Sequence, residues 1–130
     1  DSKVLVIEKE SYLGSGQSGH NSNVIHSGIY YRSGSLKSKL CLQGKQLLEE
    51  FAKKNKIPLN DCEKIIVARN IKEIKEVERL YKISQEVGIP TTRVDKKQIG
   101  LIDQNIKGIE GIIVHSTKTI NYQEIICFYY

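Results

Sequence analysis

The sequence predicts an α/β fold, because short β-branched runs and amphipathic helical patterns alternate along its 130 residues. A hydrophobic content of 39% is enough to form a core, and the length is that of one domain. Only two prolines and ten glycines are present, which excludes a disordered or collagen-like chain. Mean hydropathy is -0.35, and the sequence contains no apolar run long enough for a transmembrane helix.

The first predicted element is a strand over residues 4–7 (VLVI), a continuous apolar run typical of a strand buried on both faces of a parallel sheet. The chain has no initiator Met, and only three residues precede this run, so we expect a fragment whose N-terminus lies upstream. Residues 14–22 form a loop rich in Gly, Ser and polar side chains. A short apolar step at Val24 and Ile25 follows this loop.

The middle of the chain predicts two amphipathic helices with a strand between them. Ser35 is the expected N-cap of the first helix, which runs from 36 to about 55. Gly44 within it costs about 1 kcal/mol relative to Ala, so we expect a close packing contact there. Residues 64–68 are an apolar strand, and the second helix spans 72–87 and ends at Gly88 and Pro90.

The C-terminal third predicts shorter elements. Residues 91–94 form a short strand, and Asp95 caps a brief helical turn over 96–101. Residues 108–121 are interpreted as a strand or a hairpin, and residues 122–130 as the start of a further helix.

Charge and cysteine content narrow the range of partners. The formal net charge of +5 is spread evenly over the chain, whereas nucleic-acid binders usually cluster their basic residues, so we expect no nucleic-acid partner. The same charge balance fits a basic site for a small dicarboxylate. Cys41, Cys62 and Cys127 are odd in number and far apart, which argues against a disulfide scaffold or a structural metal site and predicts reduced, mostly buried thiols. No signal peptide or transit peptide is visible in these 130 residues.

Two features suggest dinucleotide binding. Glu8 directly follows the predicted strand at 4–7, where an acidic side chain can accept hydrogen bonds from both ribose hydroxyls. The glycine-rich half of that fingerprint would lie before residue 1, and a surface Glu at a strand end explains the pattern equally simply. The second feature is a run of small and polar residues that could bind a pyrophosphate or form a plain solvent loop: Ser18, Gly19, His20, Asn21 and Ser22.

Histidines and tyrosines supply the other candidates. His26 follows an apolar step and is either held beside a buried site or an ordinary core or loop histidine. Tyr30 and Tyr31 fit a core or a groove wall. His115 has no acidic or cysteine neighbour in the sequence and is interpreted as structural, and no Ser-His-Asp arrangement is apparent.

The stretch 19–31, GHNSNVIHSGIYY, continued by GSLK at 34–37, closely resembles the L-2-hydroxyglutarate dehydrogenase/oxidase family, whose pattern is roughly GHNSGVIHxGxYYxPGSLK. That family belongs to the FAD-dependent, D-amino-acid-oxidase-like superfamily. Weaker similarity continues at 40–44, 62–68 and 108–114, so the resemblance covers residues 4 to about 124. Asn23, Ser33 and Lys118 depart from the family pattern; Asn tolerates positive φ, and Lys118 puts the expected hairpin in question.

The resemblance implies a flavoenzyme that oxidises L-2-hydroxyglutarate to 2-oxoglutarate by hydride transfer to FAD. By this resemblance, Glu8 takes the adenosine ribose, and His26 lies near the reacting centre as the candidate catalytic base. Four residues would lie along the pyrophosphate and ribityl side of the cofactor: Gly19, His20, Asn21 and Ser22. The expected domains are a truncated Rossmann-like FAD-binding part whose first βα unit is missing (1–61), the start of a mixed-sheet substrate domain (62–121), and a truncated helix or tail (122–130).

The implied partners are a 2-hydroxy acid substrate and a quinone or other electron acceptor, with peripheral membrane association as an option. Family members occur in mitochondria and at bacterial inner membranes, so we expect a mitochondrial location in a eukaryote, the cytoplasm or inner-membrane periphery in a bacterium, and no secretion. Two alternatives stay open: a related FAD-dependent dehydrogenase of another 2-hydroxy compound or glycerol 3-phosphate, and a non-catalytic basic module that binds an anion.

Overall fold

The computed structural model describes Lys3, Leu5 and residues 7–128. Within this part, helices and strands alternate in the order β1 (Val24–Ile25), α1 (Leu36–Lys54), β2 (Leu59–Ala68), α2 (Ile71–Val87), β3 (Thr91–Asp95), α3 (Lys96–Ile102), β4 (Glu110–Ile120) and α4 (Tyr122–Phe128). The strand predicted over 4–7 falls largely outside the described residues, which omit Val4 and Val6. Leu5 and Ile7 are exposed and belong to no regular element, so this strand stays a prediction.

The sheet is built around β4, which the sequence left open as a strand or a hairpin and which is one continuous strand. On one side β4 pairs with β2 along its whole length. On the other side β3 pairs with the first half of β4, and β1 pairs with Thr119 and Lys118 near its end. These pairings are all antiparallel. The helices and strands confirm the predicted α/β class, with an antiparallel sheet in the described part of the chain.

A β-bulge interrupts the ladder between β2 and β4. Lys64 pairs with Val114 and Cys62 pairs with Thr117, so Glu63 alone stands opposite two residues of β4. Because successive side chains of a strand alternate between faces, the extra residue shifts Thr117 onto the face that carries Lys64 and Val114. The bulge therefore decides which side chains share a face at this point of the sheet.

The main core lies between α2 and the sheet. Apolar residues of α2, the strands and the segment after β1 form one buried cluster: Ile29, Ala68, Val77, Leu80, Ile89, Ile112 and Val114. The helix begins where the Asn70 side chain accepts the backbone N–H groups of Lys72 and Glu73, and it ends at Gly88, as predicted. This cluster fixes the sheet face on which the candidate site lies.

The helix α1 contributes less to the core. Its C-terminal half packs Ala52 against a small second cluster with Ile25, Ile57 and Ile120. Ser35 caps it as predicted, its hydroxyl accepting the Ser38 N–H at 3.2 Å. The apolar residues on its other side are exposed: Leu36, Leu40 and Leu47.

Two smaller expectations were wrong. A Cβ placed on Gly44 would meet no atom within 4 Å, so this glycine has no packing partner among the described residues. The cysteines are free, but they are not mostly buried, since Cys41 and Cys62 are half-buried and Cys127 is exposed on the short helix α4. In the described residues, none of the helices combines the length and apolar character needed to cross a membrane.

Candidate functional site

A small pocket lies where the segment after β1 crosses the bulged part of the sheet. Its volume is about 150 Å³. It is lined by residues from this segment and from the two central strands: His26, Ser27, Gly28, Ile29, Tyr30, Tyr31, Lys64 and Thr117. The pocket therefore joins part of the stretch 19–31 to the bulge of β2 and β4, which lie far away in the sequence.

The backbone of the segment turns tightly at Gly28, where φ is +82°. The positive φ favours glycine, and a Cβ there would also lie 3.3 Å from the Cys41 Sγ of α1 and crowd it. The Tyr31 N–H donates to the Gly28 carbonyl at 3.0 Å, and Ile29 is buried in the main core. These contacts hold His26 and Tyr30 at the mouth of the pocket.

The Cys41 thiol supports the same turn. Its Sγ donates to the His26 carbonyl over 3.6 Å. Burial raises the pKa of Cys41, and the positive charge of Lys45 opposes this by a smaller amount. The thiol is thus kept protonated near neutral pH, which it must be to act as a donor.

His26, the predicted catalytic base, lines the pocket with its side chain exposed. Its ring forms no hydrogen bond with the described residues, so both ring nitrogens are available to a ligand. This exposure does not fit a core histidine, whereas an ordinary loop histidine and a histidine held beside a site both fit it. Its catalytic role stays a prediction.

Lys64 and Thr117 were not singled out by any local sequence signal, yet the structure brings both into the pocket. The Lys64 Nζ lies 4.4 Å from the centroid of the Tyr30 ring, a cation–π contact. Thr117 is only 4% exposed, and its hydroxyl has no hydrogen-bond partner among the described residues. The register shift that places them on one face across the bulge is a long-range feature, which local sequence patterns do not reveal.

A second, more open groove of about 340 Å³ runs beside the glycine-rich loop. Glu8 lies in its wall, and its carboxylate accepts the Glu10 N–H at 3.0 Å. The other lining residues come from the loop and from α4: Leu13, Gly14, Gly16, Gln17, Ser18, Ile125 and Ile126. Glu8 and the small residues of the loop therefore face one common space.

The four remaining predicted cofactor residues lie on the far end of this loop and do not line the groove. Gly19 packs so closely that a Cβ would lie 2.0 Å from the Gly14 carbonyl oxygen. His20 Nδ1 is 3.1 Å from the Gly16 carbonyl oxygen. The Asn21 side chain both donates to the Ser18 carbonyl and accepts the Asn23 N–H, and exposed Ser22 follows it. These contacts shape the loop, and a role in cofactor binding stays a prediction.

His115, interpreted as structural because no acidic residue lies near it in the sequence, does have an acidic partner in the structure. Its Nδ1 lies 2.6 Å from the Glu63 carboxylate, and its Nε2 is 2.8 Å from the Thr92 hydroxyl. Glu63 is 52 residues away in the sequence and reaches His115 only because β2 and β4 pair. These three side chains are open to solvent on the sheet face opposite Lys64, and they line neither the pocket nor the groove.

The family model described as FAD dependent oxidoreductase matches residues 1–129 of the chain. An L-2-hydroxyglutarate dehydrogenase, mitochondrial, from Dictyostelium discoideum is 40% identical over 126 residues, which cover 95% of this chain and 28% of the relative. The human protein of that name is 39% identical over 123 residues, which cover 94% of this chain and 27% of the relative. The L-2-hydroxyglutarate dehydrogenase of Escherichia coli K12 is 34% identical over 125 residues, covering 96% and 30%.

Two solved structures share the fold. An L-alpha-glycerophosphate oxidase from Mycoplasma pneumoniae, dithionite-reduced and with FAD bound, superposes with a TM-score of 0.76 at 25% identity, over 88% of this chain and 32% of that one. Glycine oxidase from Geobacillus kaustophilus superposes with a TM-score of 0.75 at 16% identity, over 88% of this chain and 33% of that one. The chain spans less than a third of the length of each of the three dehydrogenases. The match over residues 1–129 makes this chain a member of the FAD-dependent oxidoreductase family.

Proposed function

We propose that this chain is part of a longer FAD-dependent enzyme that oxidises L-2-hydroxyglutarate to 2-oxoglutarate. The observation that carries the proposal is the pocket in which an unbonded histidine, His26, lies beside a cationic group, Lys64. A base and a positive charge are what oxidation of a hydroxy acid requires of a protein. The names of the relatives, 34–42% identical to this chain, support this substrate.

The loop groove fits part of a dinucleotide. Glu8 offers a carboxylate at its wall, and Gly16 leaves the backbone accessible there, since a Cβ on it would meet no atom within 4 Å. The Ser15 hydroxyl, between Gly14 and Gly16, is buried without a partner in the described part of the chain. A volume of about 340 Å³ accommodates one portion of FAD, so further parts of the binding site come from elsewhere in the enzyme.

In this proposal the groove binds part of the cofactor, the pocket binds the substrate, and residues 19–22 contact the cofactor from outside the groove. Glu8 accepts hydrogen bonds from the adenosine ribose, and the loop with Gly19, His20, Asn21 and Ser22 approaches the pyrophosphate and ribityl chain. Bound FAD supplies a two-electron acceptor for the hydrogen leaving the substrate carbon. The His26 ring nitrogen removes the proton of the substrate hydroxyl, which an imidazole can do near neutral pH.

Several further features belong to the same proposal. The division into a cofactor part (1–61), a substrate part (62–121) and a terminal helix (122–130) places its first boundary inside β2. The exposed apolar residues of α1 support a longer polypeptide that covers them. The electron acceptor is a quinone or another oxidant, with the protein in the mitochondrion of a eukaryote or in the cytoplasm or at the inner-membrane periphery of a bacterium.

One alternative has support of its own. The likeness to a glycerophosphate oxidase favours glycerol 3-phosphate as a substrate, since a cationic pocket suits a phosphate as well as a carboxylate. Steady-state rates with L-2-hydroxyglutarate and with glycerol 3-phosphate separate the two, and we expect a clear preference for the hydroxy acid. A non-catalytic anion-binding module is excluded if either substrate reduces the flavin.

The role of His26 is tested by His26→Ala in the flavin-loaded enzyme. We expect the rate of flavin reduction to fall by about 10²–10⁴-fold, with the flavin retained. Added imidazole should restore part of the rate, because it supplies the missing base without repairing any structural defect. An unchanged rate of flavin reduction removes His26 from this role.

A matching variant, Glu8→Ala, tests the groove. We expect it to purify with less FAD while the protein that retains flavin still turns over. A Glu8→Ala protein with full flavin content contradicts the assignment to the ribose.

A further inference from the structure

Lys64 is a cation without a counterion. It is half-buried, and among the described residues no carboxylate lies within ion-pair distance of its Nζ. Other partly buried lysines are paired, Lys45 with Glu49 and Lys118 with Asp61. The acidic neighbour of Lys64 in the chain, Glu63, points to the opposite face and contacts His115. A charge kept in a pocket without a partner is available to an anionic ligand.

Thr117 supplies a second, independent sign of a ligand. Thr117 lines the same pocket, is 96% buried, and carries a hydroxyl without a hydrogen-bond partner in the described part of the chain. Buried hydroxyls are almost always hydrogen-bonded, because burial removes the water that would otherwise satisfy them. An unsatisfied donor at a pocket wall is explained if the partner is a bound molecule.

The bulge brings these two groups together. Without the extra residue in β4, Ser116 and not Thr117 would share the face of Lys64. The Tyr30 ring forms a wall beside the Lys64 ammonium and limits its movement. At about 150 Å³, the pocket has room for one small anionic group and a short carbon stem.

We infer that Lys64 and Thr117 form a carboxylate-binding subsite that holds one end of the substrate beside His26. The ammonium and the hydroxyl each donate to the carboxylate, and a charge-assisted hydrogen bond is the stronger of the two. The identity of the ligand rests on the proposed function, since L-2-hydroxyglutarate has a carboxylate at both ends. The subsite itself rests on the geometry of the pocket.

The first test is Lys64→Met, with glutarate as a non-reacting probe. Binding of glutarate to the flavin-loaded enzyme is followed by calorimetry and by the change in the flavin spectrum. We expect Kd for glutarate and KM for L-2-hydroxyglutarate to rise about 10- to 100-fold, as loss of a hydrogen bond to a charged group predicts. Lys75→Met, which removes an exposed lysine from α2, is the matched control and should change neither.

The second test separates recognition from structure. Thr117→Val removes the unpaired hydroxyl and keeps the shape of the side chain, so Tm should stay the same or rise by up to about 4 °C. Affinity for glutarate should nevertheless fall about 5- to 10-fold, while Thr117→Ser retains it. A drop in Tm with unchanged glutarate binding would mean that the hydroxyl serves the fold, and it would overturn the assignment.

The substrate series identifies which carboxylate is bound. If Lys64 binds the carboxylate remote from the hydroxyl, Lys64→Met raises KM for L-2-hydroxyglutarate far more than KM for L-2-hydroxybutyrate, which lacks that group. If Lys64 binds the carboxylate next to the hydroxyl, KM rises equally for both compounds. Either result supports the subsite. Unchanged Kd and KM in Lys64→Met refute it even if the enzyme oxidises L-2-hydroxyglutarate. Conversely, Lys64-dependent glutarate binding without oxidation would leave the subsite standing and refute the proposed function.

Discussion

The helices α1 and α2 are similar in length and amphipathic spacing, yet they attach to the sheet differently. On α2 the apolar residues Val77 and Leu80 are 2% and 1% exposed and form part of the main core. On α1, Leu36, Leu40 and Leu47 are 70%, 56% and 65% exposed. The same sequence pattern thus belongs to a fully packed face in one helix and a largely open face in the other.

Near the middle of α1, polar contacts help attach the helix to the sheet. The Lys45 Nζ donates to the Ser116 carbonyl at 2.5 Å, and the Glu49 charge acts on Lys118 of β4. Lys118 itself pairs with Asp61, its Nζ 2.5 Å from the carboxylate. Apolar periodicity therefore predicts which face of a helix needs a partner, but it does not say whether the partner lies within the same 130 residues.

Truncation of a buried leucine should show the largest difference between the two helices. Leu80→Ala in α2 should lower the free energy of unfolding by about 3 kcal/mol, because it leaves a cavity in the core. Leu40→Ala in α1 should cost less than about 0.5 kcal/mol, since the side chain is mostly in solvent already. Urea denaturation of both variants measures this, and equal losses would contradict the open face of α1.

Removal of the N-caps should have a smaller effect. Asn70→Ala deprives α2 of an acceptor for two backbone N–H groups and should cost about 1 kcal/mol. Ser35→Ala deprives α1 of an acceptor for one N–H and should cost less. Chemical denaturation of the pair checks the order, and a larger loss for Ser35→Ala would mean that α1 is coupled to the fold more tightly than its contacts indicate.

Gly44→Ala probes the open face itself. A Cβ at this position meets open space, so the variant should be more stable by about 0.8 kcal/mol through helix propensity alone. In a longer protein that covers α1 closely at Gly44, the same change should destabilise. Melting curves of Gly44→Ala in both forms measure the sign, and a loss in this chain alone would contradict the exposure of Gly44.

The smallest expected effect concerns pH. The hydrogen bond from Lys118 to Asp61 is the main cause that holds the pKa of Lys118 above its usual value of 10.5 in the folded chain. The hydrogen bond therefore contributes its full stability below the usual pKa, and this contribution is lost as pH rises through the raised pKa. Unfolding of wild type and Asp61→Asn, compared between about pH 9 and 11, should show a steeper decline for wild type. Parallel curves would contradict the pairing.

Local signals in the sequence were sufficient for most of the helices and strands. Ser35, Asp95 and Gly88 mark helix ends where they were expected, and Asn23 adopts the positive φ of 55° anticipated for it. The start of β2 was missed because residues 59–63 are mostly polar and lack an apolar run. The expectation of a hairpin was unnecessary, since Lys118 is accommodated in a continuous strand by its pairing with Asp61.

The candidate site was predictable only in part. The segment with His26 stands out locally, and it does line the pocket. Lys64 and Thr117 join it through strand pairing between residues about fifty positions apart, and the bulge reverses the face that simple alternation would give Thr117. The contact of His115 with Glu63 was missed for the same reason. A single sequence does not show which residues lie opposite each other in paired strands.

The proposed reaction is decided by an anaerobic visible spectrum of the flavin-loaded enzyme, taken before and after addition of L-2-hydroxyglutarate. We predict that the flavin absorbance bleaches with this acid and does not bleach with its D-isomer or with glycerol 3-phosphate. A flavin that stays oxidised with L-2-hydroxyglutarate, or bleaches only with glycerol 3-phosphate, would contradict the proposed substrate.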